Sequence, residues 1–254
     1  MNKGKPTEWE KTYRKLKEGE CLWSRFPEIE DFIPLAKRDD VKRVLDAGCG
    51  DGKNLTALLH ETQFFCVGCD SSRSALEVCE KEIKKGTLAA HGQGKVPKQR
   101  FEEVCLVETP LQDMPFLDGF FDAAICIDVI NHNKDPYAII GELCRVVKRN
   151  GLIYFSLFNV QDEILTNPEY AKPMKPICDG IPGREFMYHF INGEGEPIEY
   201  YFRFLHFEEV EEFLKPTRLQ IINKRVKRWW NPPHPHFRPY EHTHCNIMVT
   251  ARNR

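Results

Sequence analysis

The chain has 254 residues, of which 41% are apolar and 11% aromatic, so it can bury one large core. Its 36 basic and 38 acidic side chains nearly cancel and leave a formal charge of -2 at pH 7. That balance argues against a surface built mainly to hold the phosphate backbone of a nucleic acid. No apolar run approaches the roughly 20 residues that a membrane-spanning helix needs.

Cysteine usage and the polar N-terminus indicate the cellular compartment. The ten cysteines are scattered, and several fall inside predicted strands, where free cysteine behaves as a small buried hydrophobe. We therefore expect reduced thiols rather than disulfides. Because the first twenty residues are too polar for a signal peptide, we predict a cytoplasmic protein that does not act at a membrane.

We predict a single domain over residues 1–254 that begins with a helical segment, residues 1–40. Within that segment, Trp9, Tyr13 and Leu16 have helical spacing. Strands and helices then alternate over residues 41–158. The predicted strands are VKRVLDA, FFCVGCD, FEEVCLV, FDAAICI and GLIYFSLF, and the predicted helices are KNLTALLHE, SRSALEVCEKEIKK and DPYAIIGELCRVVKR. Such alternation predicts an α/β fold with a mostly parallel sheet covered by helices on both faces.

Three further features complete the predicted layout. A polar loop occupies residues 86–100, and Asn150-Gly151 is expected to end the last of the three helices. Residues 159–205 are rich in Pro, Gly and aromatic side chains without a clear strand–helix unit, which indicates a cap insertion beside the substrate site. Residues 206–254 resume with the helix FEEVEEFLKP and the strands LQIINKRVKR and THCNIMVTAR.

A glycine-rich turn follows the first predicted strand, in the stretch VLDAGCGDGKN. The strand ends at Asp46, and Gly48, Gly50 and Gly52 alternate before the next helix. Glycine permits tight turning and leaves no Cβ between the main chain and a ligand. Amide groups near a helix start can meet a carboxylate or a phosphate. Because ligands of parallel sheets bind at the carboxyl ends of the strands, this turn is the expected ligand site.

The spacing of the turn discriminates between ligands. A dinucleotide fingerprint from Gly48 would need glycine at position 53, which is Lys53, and a phosphate loop would need Ser or Thr where Asn54 stands. The pattern suits a ligand with an amino-acid portion, in which Asp46 serves the ammonium, directly or through water, and the loop amides face the carboxylate. Asp70 ends the second strand about 20 positions after Gly48, and an acid at this offset can accept hydrogen bonds from ribose hydroxyls. The alternative role for Asp70 is that of a helix cap.

These residues resemble class I S-adenosylmethionine-dependent methyltransferases of the small-molecule type, roughly from Val41 to Phe158. The stretch VLDAGCGDGKN resembles the family's first motif, and the acid ending FFCVGCD resembles its ribose-binding residue. The stretches PFLDGFFDAAICIDVINH and ELCRVVKRNGLIYFSLF resemble the segments around the fourth and fifth strands. The resemblance implies a Rossmann-like, doubly wound, seven-stranded sheet. It also implies S-adenosylmethionine as cofactor, S-adenosylhomocysteine as product and methyl transfer to a small-molecule acceptor.

The resemblance also suggests where the cofactor binds. The family often has an acid that contacts the adenine, five residues before the Pro of a Pro-Phe pair. Counting back from Pro115 gives Pro110, which cannot play this role. The substitutes for the adenine contact are Leu111, through its backbone, and Gln112 or Asp113. Asp128 either binds the methionine ammonium or caps a turn. The predicted cofactor-binding residues are Tyr13, Asp46, Gly48, Gly50, Gly52, Asn54, Asp70, Ser71, Leu111, Gln112 and Asp128.

Methyl transfer from a sulfonium needs an aligned nucleophile and the exclusion of water. A base is needed if the acceptor arrives protonated. His132 and His189 are the candidates for a catalytic role, and the expected substrate contacts are His132, Tyr188, Tyr201 and His244. The alternative for His132 is a plain loop histidine, and for the tyrosines and His189 it is packing in an aromatic core.

Several other functions remain as alternatives. Basic residues lie beside aromatic residues in the stretch KRVKRWW, Lys224 to Trp230. Proteins that bind single-stranded nucleic acid combine these residue types, so an RNA or tRNA methyltransferase is an alternative function. Another is a module that binds S-adenosylmethionine without turning it over. The histidine-rich stretch from His234 to Cys245 lacks the paired spacing of a structural zinc site, and we expect no metal. We favour a small-molecule acceptor, no nucleic-acid partner, and a monomer or homodimer.

Overall fold

The computed structural model describes residues 7–17, 20, 22, 28–85, 104–171, 174–177, 180–181, 183–191, 197–233 and 241–254. The predicted polar loop, residues 86–100, lies outside the described residues, as do His234 and His236 of the histidine-rich stretch. The secondary-structure elements described below all belong to the described ranges.

Ten strands make up one sheet. They are β1 (Arg43–Ala47), β2 (Phe65–Asp70), β3 (Val104–Glu108), β4 (Phe121–Cys126), β5 (Val147–Asn159), β6 (Met174–Ile177), β7 (Arg184–Ile191), β8 (Pro197–Leu205), β9 (Leu219–Asn231) and β10 (His242–Asn253). The α-helices are α1 (Glu8–Tyr13), α2 (Phe32–Arg38), α3 (Lys53–Glu61), α4 (Arg73–Lys85), α5 (Pro136–Val146), α6 (Glu163–Thr166), α7 (Pro168–Ala171) and α8 (Val210–Leu214). Two short 3-10 helices cover Ile130–His132 and Phe207–Glu209.

Seven of these strands form the main sheet in the order β3-β2-β1-β4-β5-β10-β9. The first five are mutually parallel, and β10 runs antiparallel to both β5 and β9. Strand β4 is buried along its whole length, as expected for a central strand with both faces covered. The predicted α/β fold, with a seven-stranded and mostly parallel sheet, is therefore confirmed.

Alternation along β1 divides the core between the two faces of the sheet. Val44 packs in a cluster that includes side chains of α2, α3 and α4, whereas Leu45 packs in the opposite cluster with α5 and α8. The parallel strands all end at the same edge. The loops that follow β1, β2 and β4 therefore meet there.

The region predicted as a cap insertion contains three antiparallel strands that the sequence pattern did not reveal. Strands β6, β7 and β8 form a meander, and β8 runs parallel to β5, with Phe158 opposite Phe204 and Asn159 opposite Leu205. Aromatic side chains of β7 and β8 pack with Tyr13 and Phe158 in a third cluster. The two aromatic-rich stretches are therefore neighbouring strands with a buried face.

The predicted end of the third core helix was wrong. Helix α5 ends at Val146 rather than near Arg149, and β5 already begins at Val147. The side-chain amide of Asn253, at the end of β10, donates hydrogen bonds to the carbonyls of Cys144 (2.8 Å) and Val147 (2.7 Å). A residue distant in sequence thus satisfies carbonyls at the helix end, which no local pattern could reveal.

Candidate functional site

The turn after β1 has a backbone that requires glycine. Gly48, Gly50 and Gly52 all have positive φ, at 79°, 53° and 87°. A Cβ on Gly48 would lie 2.3 Å from Cγ2 of Val129, and one on Gly52 would lie 2.5 Å from Sγ of Cys79. The turn is therefore packed against two other elements, and side chains are excluded both by conformation and by space.

Asp70 links the end of β2 to this turn. Its Oδ2 accepts a hydrogen bond from the Gly50 amide at 3.0 Å, and its Oδ1 accepts one from the Ser72 amide at 2.9 Å. Burial raises the pKa of Asp70 above its usual value. The hydroxyl of Ser72 accepts from the Ala75 amide, so Ser72 caps α4 and Asp70 is placed between the helix and the glycine turn.

Asp46 lies behind the turn, near the end of β1, and is 2% exposed. Burial, together with the negative charge of Asp70, raises its pKa to about 7. Its Oδ2 atom has no hydrogen-bond partner among the described residues. A buried carboxylate oxygen without a donor suits a cationic ligand group, reached directly or through water.

A cavity of about 370 Å³ opens where β1, β2 and β4 end. Residues of the predicted cofactor set that line it are Tyr13, Gly48, Gly50, Asn54, Asp70, Ser71, Leu111, Gln112 and Asp128. Its other wall is formed by side chains of α1, the 3-10 helix after β4, and the β7–β8 hairpin, namely Trp9, His132, Met187, Glu199, Tyr200 and Tyr201. The structure thus brings most of the predicted residues to one place.

Several predicted residues do not line the cavity. Asp46 lies behind the glycine turn, and Gly52, the last glycine of the turn, packs against Cys79 of α4. Tyr188 is buried and packs edge-on against Phe202. His189 does not line the cavity itself, but its Nδ1 is 2.8 Å from Oε1 of Glu199, which does. The remaining predicted contact, His244, belongs to β10 and stacks at a tilt on Trp229 with ring centroids 5.2 Å apart.

Two residues considered for the adenine contact differ in position. Leu111 is buried and lines the cavity. Gln112 also lines the cavity, and its side-chain nitrogen donates a hydrogen bond to Oδ1 of Asn133 at 3.0 Å. Asp113 is exposed and is not part of the lining.

Asp128 follows β4 in the left-handed region, with φ at 58°. Its amide donates to the hydroxyl of Ser156 at 2.7 Å, and its Oδ1 accepts from Ser156 Oγ and from the Asn246 amide at 2.9 and 2.6 Å. Strands β5 and β10 therefore fix this carboxylate at the cavity wall.

A buried ion pair beside the turn escaped the sequence prediction. Nζ of Lys53 lies 2.5 Å from Oε1 of Glu28, and both side chains are at most 10% exposed. Lys53 lines the cavity, and nearby carboxylates, Glu28 foremost, raise its pKa although burial opposes this shift. The partners are distant in sequence, so no spacing signal announces the pair.

Helix α1 covers the cavity and connects its two walls. The buried Glu10 carboxylate accepts hydrogen bonds from the hydroxyls of Ser72 and Ser74 at 2.7 and 2.9 Å. Although burial opposes the shift, these bonds hold the pKa of Glu10 below its usual value. On the other side, the hydroxyls of Thr12 and Tyr200 share a hydrogen bond. The predicted helical segment thus leans on the main body, and Trp9 and Tyr13 reach the cavity.

His132 occupies the last position of the 3-10 helix after β4, within the cavity wall. Its Nδ1 lies 3.0 Å from the backbone carbonyl oxygen of Tyr201. Its ring meets three aromatic rings edge-on, with centroid distances of 4.9 Å to Trp9, 5.2 Å to Phe158 and 4.8 Å to Phe202. Ring orientation is therefore fixed from several sides.

The basic stretch Lys224–Trp230 lies on β9, the outer strand of the main sheet, and three of its four cations face acids, whereas Arg228 donates to the side-chain oxygen of Gln161. Arg225 pairs with Asp31, and Lys227 pairs with Glu30. Nζ of Lys224 is 2.6 Å from a carboxylate oxygen of Glu211. These three charges are compensated within the protein.

Two other features bear on partners. Among the helices that the structure describes, none is long and apolar enough to cross a membrane. Within the same parts of the chain, no group of three or more His, Cys, Asp or Glu side chains is arranged to hold a metal ion.

Comparison with known proteins relates this geometry to a family. The model of the methyltransferase domain matches residues 45–155. A ubiquinone biosynthesis O-methyltransferase from Thiobacillus denitrificans is 30% identical over 131 residues, which cover 52% of this chain and 49% of that protein. A tRNA (carboxymethyluridine(34)-5-O)-methyltransferase from Arabidopsis thaliana is 30% identical over 145 residues, which cover 56% of this chain and 30% of that protein. The chain thus spans about half or less of the length of these relatives.

A solved structure extends the similarity beyond the matched region. The crystal structure of a SAM-dependent methyltransferase from Methanosarcina mazei superposes with a TM-score of 0.60 at 20% identity. The superposition covers 83% of this chain and 91% of that one, so the two share a fold. With the glycine turn and the acid that ends β2, these similarities identify the matched region, residues 45–155, as a methyltransferase domain of the class I S-adenosylmethionine-dependent type, within a chain that shares the fold of a SAM-dependent methyltransferase.

Proposed function

We propose that this protein transfers the methyl group of S-adenosylmethionine to a small-molecule acceptor bound between α1 and the β7–β8 hairpin. The observation that carries the proposal is that one continuous cavity extends from the glycine turn and Asp70 to Trp9 and Tyr201. A cofactor held at the first end would present its reactive group toward the second. The cavity volume, about 370 Å³, lies within the range of about 300–1,000 Å³ common for small-molecule sites.

The residues at the cofactor end fit S-adenosylmethionine. Asp46 offers the ammonium a buried carboxylate oxygen that accepts no hydrogen bond from the described residues. The glycine turn leaves no Cβ between its main chain and a ligand. Asp70 is positioned at the edge of β2 to accept ribose hydroxyls, and Leu111 to pack on the base. When bound, the cofactor supplies a methyl group that is already activated for displacement.

The acceptor end supports a small substrate. Helix α1 closes over it through Glu10 on one side and Thr12 on the other, which limits access for water and for a bulky polymer. Its wall is largely aromatic, with Trp9 and Tyr200 packed 4.5 Å apart between ring centroids. Such a lining suits a compact organic molecule more than a phosphodiester chain.

RNA remains the alternative acceptor because one relative is a tRNA methyltransferase. The basic stretch Lys224–Trp230 is largely neutralised, since Lys224, Arg225 and Lys227 face acids and only Arg228 pairs with a neutral amide. A small-molecule acceptor is therefore the better supported proposal.

The first experiment measures cofactor binding by calorimetry with S-adenosylhomocysteine. Asp70→Ala should weaken binding at least about tenfold, because ribose hydroxyls lose a charged acceptor. Asp118→Ala removes an exposed acid elsewhere and should leave the affinity unchanged. Equal affinity in the native protein and Asp70→Ala would mean that Asp70 holds the turn but does not contact the ligand.

The second experiment identifies the acceptor class. Two reactions each contain the protein and methyl-labelled S-adenosylmethionine. One also receives a low-molecular-weight metabolite fraction, and the other receives total tRNA. Label in the small-molecule fraction supports the proposal, and label in tRNA selects the alternative. Tight cofactor binding without transfer to either fraction would indicate a binding module.

A further inference from the structure

We infer that His132 is the general base of the reaction, and that the acceptor is a planar molecule carrying a proton on the atom that receives the methyl group. The inference rests on the proposed function. It goes further, because methyl transfer to an acceptor without such a proton would need no base.

The backbone decides which ring nitrogen of His132 holds the proton. Nδ1 faces the carbonyl oxygen of Tyr201 at 3.0 Å, and a carbonyl oxygen accepts hydrogen bonds but cannot donate them. The Nδ1 atom of the neutral ring must therefore carry the hydrogen. Nε2 is then the unprotonated nitrogen, which is the form that a base requires.

The position of His132 connects the two ends of the cavity. The 3-10 helix Ile130–His132 follows Asp128 and Val129, which line the cofactor end. The carbonyl that holds the ring belongs to Tyr201, which lines the acceptor end. Trp9, Phe158 and Phe202 contact the ring edge-on, and together with the Tyr201 carbonyl they fix its orientation.

The carboxylates near His132 are already held by hydrogen bonds or ion pairs, which makes them weaker candidates for the general base. Asp70 accepts backbone amides, and the Asp128 carboxylate accepts from Ser156 and Asn246. At the hairpin, Glu199 is 58% exposed in its side chain and pairs with His189. Glu8 pairs with Lys11 at 2.6 Å.

An ionised tyrosine could also act as the general base, and Tyr200 lines the cavity. Burial raises the pKa of the Tyr200 hydroxyl well above its usual value, so this group stays protonated at neutral pH. It shares a hydrogen bond with Thr12 and therefore holds α1 rather than accepting a proton from the acceptor.

The proposed step is balanced. Nε2 of His132 accepts the proton of the acceptor's hydroxyl or thiol as that atom forms its bond to the methyl carbon; an ammonium group first gives its proton to Nε2, and the lone pair released then forms the bond. The electron pair of the broken carbon–sulfur bond stays on sulfur, whose positive charge is neutralised. The proton on the imidazolium then passes to solvent. The rings of Trp9 and Tyr200, packed against each other on one wall of the cavity, offer an aromatic surface on which a flat acceptor can stack.

Histidine-labelled nitrogen NMR tests the tautomer without turnover. The signals of His132 are assigned by their loss in His132→Gln, in the complex with S-adenosylhomocysteine at pH 8. We expect a protonated Nδ1 and a bare Nε2. The reverse tautomer would overturn the inference, while failure of the native protein to bind S-adenosylhomocysteine would instead overturn the proposed function.

Two matched probes test the base itself. Phenol keeps its proton at pH 8, whereas the more acidic thiophenol is largely ionised and needs no base. His132→Gln should lower methylation of phenol by about 10²–10⁴-fold, the range of general-base catalysis, and that of thiophenol by less than about tenfold. His60→Gln, on the far end of α3, is the matched control and should behave as the native protein. Equal losses for both probes, no loss, or no turnover of either by the native protein would each overturn the assignment.

Discussion

Asp46 and Asp70 lie near the ends of two neighbouring parallel strands, and their carboxylates influence each other. Asp46 is opposite Gly68 in the register of β1 and β2, and Ala47 is opposite Cys69. Burial and the nearby charge of Asp70 together raise the pKa of Asp46 to about 7. The protonation of one carboxyl beside the glycine turn therefore changes within the physiological pH range.

The first prediction concerns stability against pH. The folded pKa of Asp46 lies above its usual value of 3.8, so the folded protein loses stability as pH rises from about 4 through 7. Asp46→Asn removes this loss. The fall in Tm between pH 6 and pH 8 should be smaller in the variant by several degrees, since 1 kcal/mol is worth about 2–4 °C in a domain of this size. Scanning calorimetry measures both curves, and identical slopes would contradict the prediction.

Cofactor affinity should show the opposite trend. An ionised Asp46 attracts an ammonium, so binding of S-adenosylhomocysteine to the native protein should tighten between pH 6 and pH 8. In Asp46→Asn the affinity should be lower and nearly flat over that interval. Titration calorimetry at three pH values checks this. An unchanged affinity in the variant would mean that Asp46 acts on the turn alone.

A double-mutant cycle tests the packing of the turn. Gly52→Ala should destabilise the protein by about 2–4 kcal/mol, because the new methyl overlaps Sγ of Cys79 and φ is 87°. Cys79→Ala removes the overlapping atom, so the double variant should recover part of the loss. Urea unfolding gives the four free energies. Strict additivity would show that backbone strain alone excludes a side chain at position 52.

Glu10 should control the closure of α1. Glu10→Ala removes the acceptor for Ser72 and Ser74, and amide exchange in α1 should accelerate about 10–100-fold, as expected for losing 1–3 kcal/mol of hydrogen bonding. Glu80→Ala, an exposed acid on α4, serves as the control. Mass-detected hydrogen exchange reports the result. Equal exchange in both variants would mean that Tyr200 and Trp9 hold the helix without this carboxylate.

The charges of β9 should contribute little to nucleic-acid binding. Arg225→Gln with Lys227→Gln should leave salt-dependent tRNA binding unchanged, because acids already neutralise both cations. Unfolding free energy should fall by less than about 1 kcal/mol per pair, as is usual for exposed ion pairs. A gel-shift titration at several salt concentrations provides the test. Loss of a steep salt dependence in the double variant would favour an RNA substrate.

Local sequence signals predicted the main sheet well. Helix α3 covers the predicted stretch KNLTALLHE because Gly52 introduces it and a non-helical Thr62 follows it. The order of glycines and the acid at Asp70 likewise indicated residues that the structure brings together at one end of the cavity. These features depend on short-range conformation and on alternation that the sequence displays directly.

The rest depends on contacts between distant residues. The end of α5 is set by Asn253, and the β7–β8 hairpin buries aromatics whose Pro- and Gly-rich surroundings resemble a loop. Predicted substrate contacts at Tyr188 and His244 lie outside the cavity lining, where Tyr188 packs on Phe202 and His244 on Trp229, both distant in sequence. The Lys53–Glu28 pair has no local signature at all.

The attachment of the β6–β8 meander has a consequence for how this enzyme class diversifies. Its ladder to β5 is formed at Phe158 and Asn159, beyond the stretch of β5 that pairs with β4. An exchange of the meander would therefore redesign the acceptor wall while the cofactor end kept its hydrogen-bonded framework. Under the proposed function, a new acceptor wall would then have to restore the contacts of Tyr200 with Thr12 and of Tyr201 with His132.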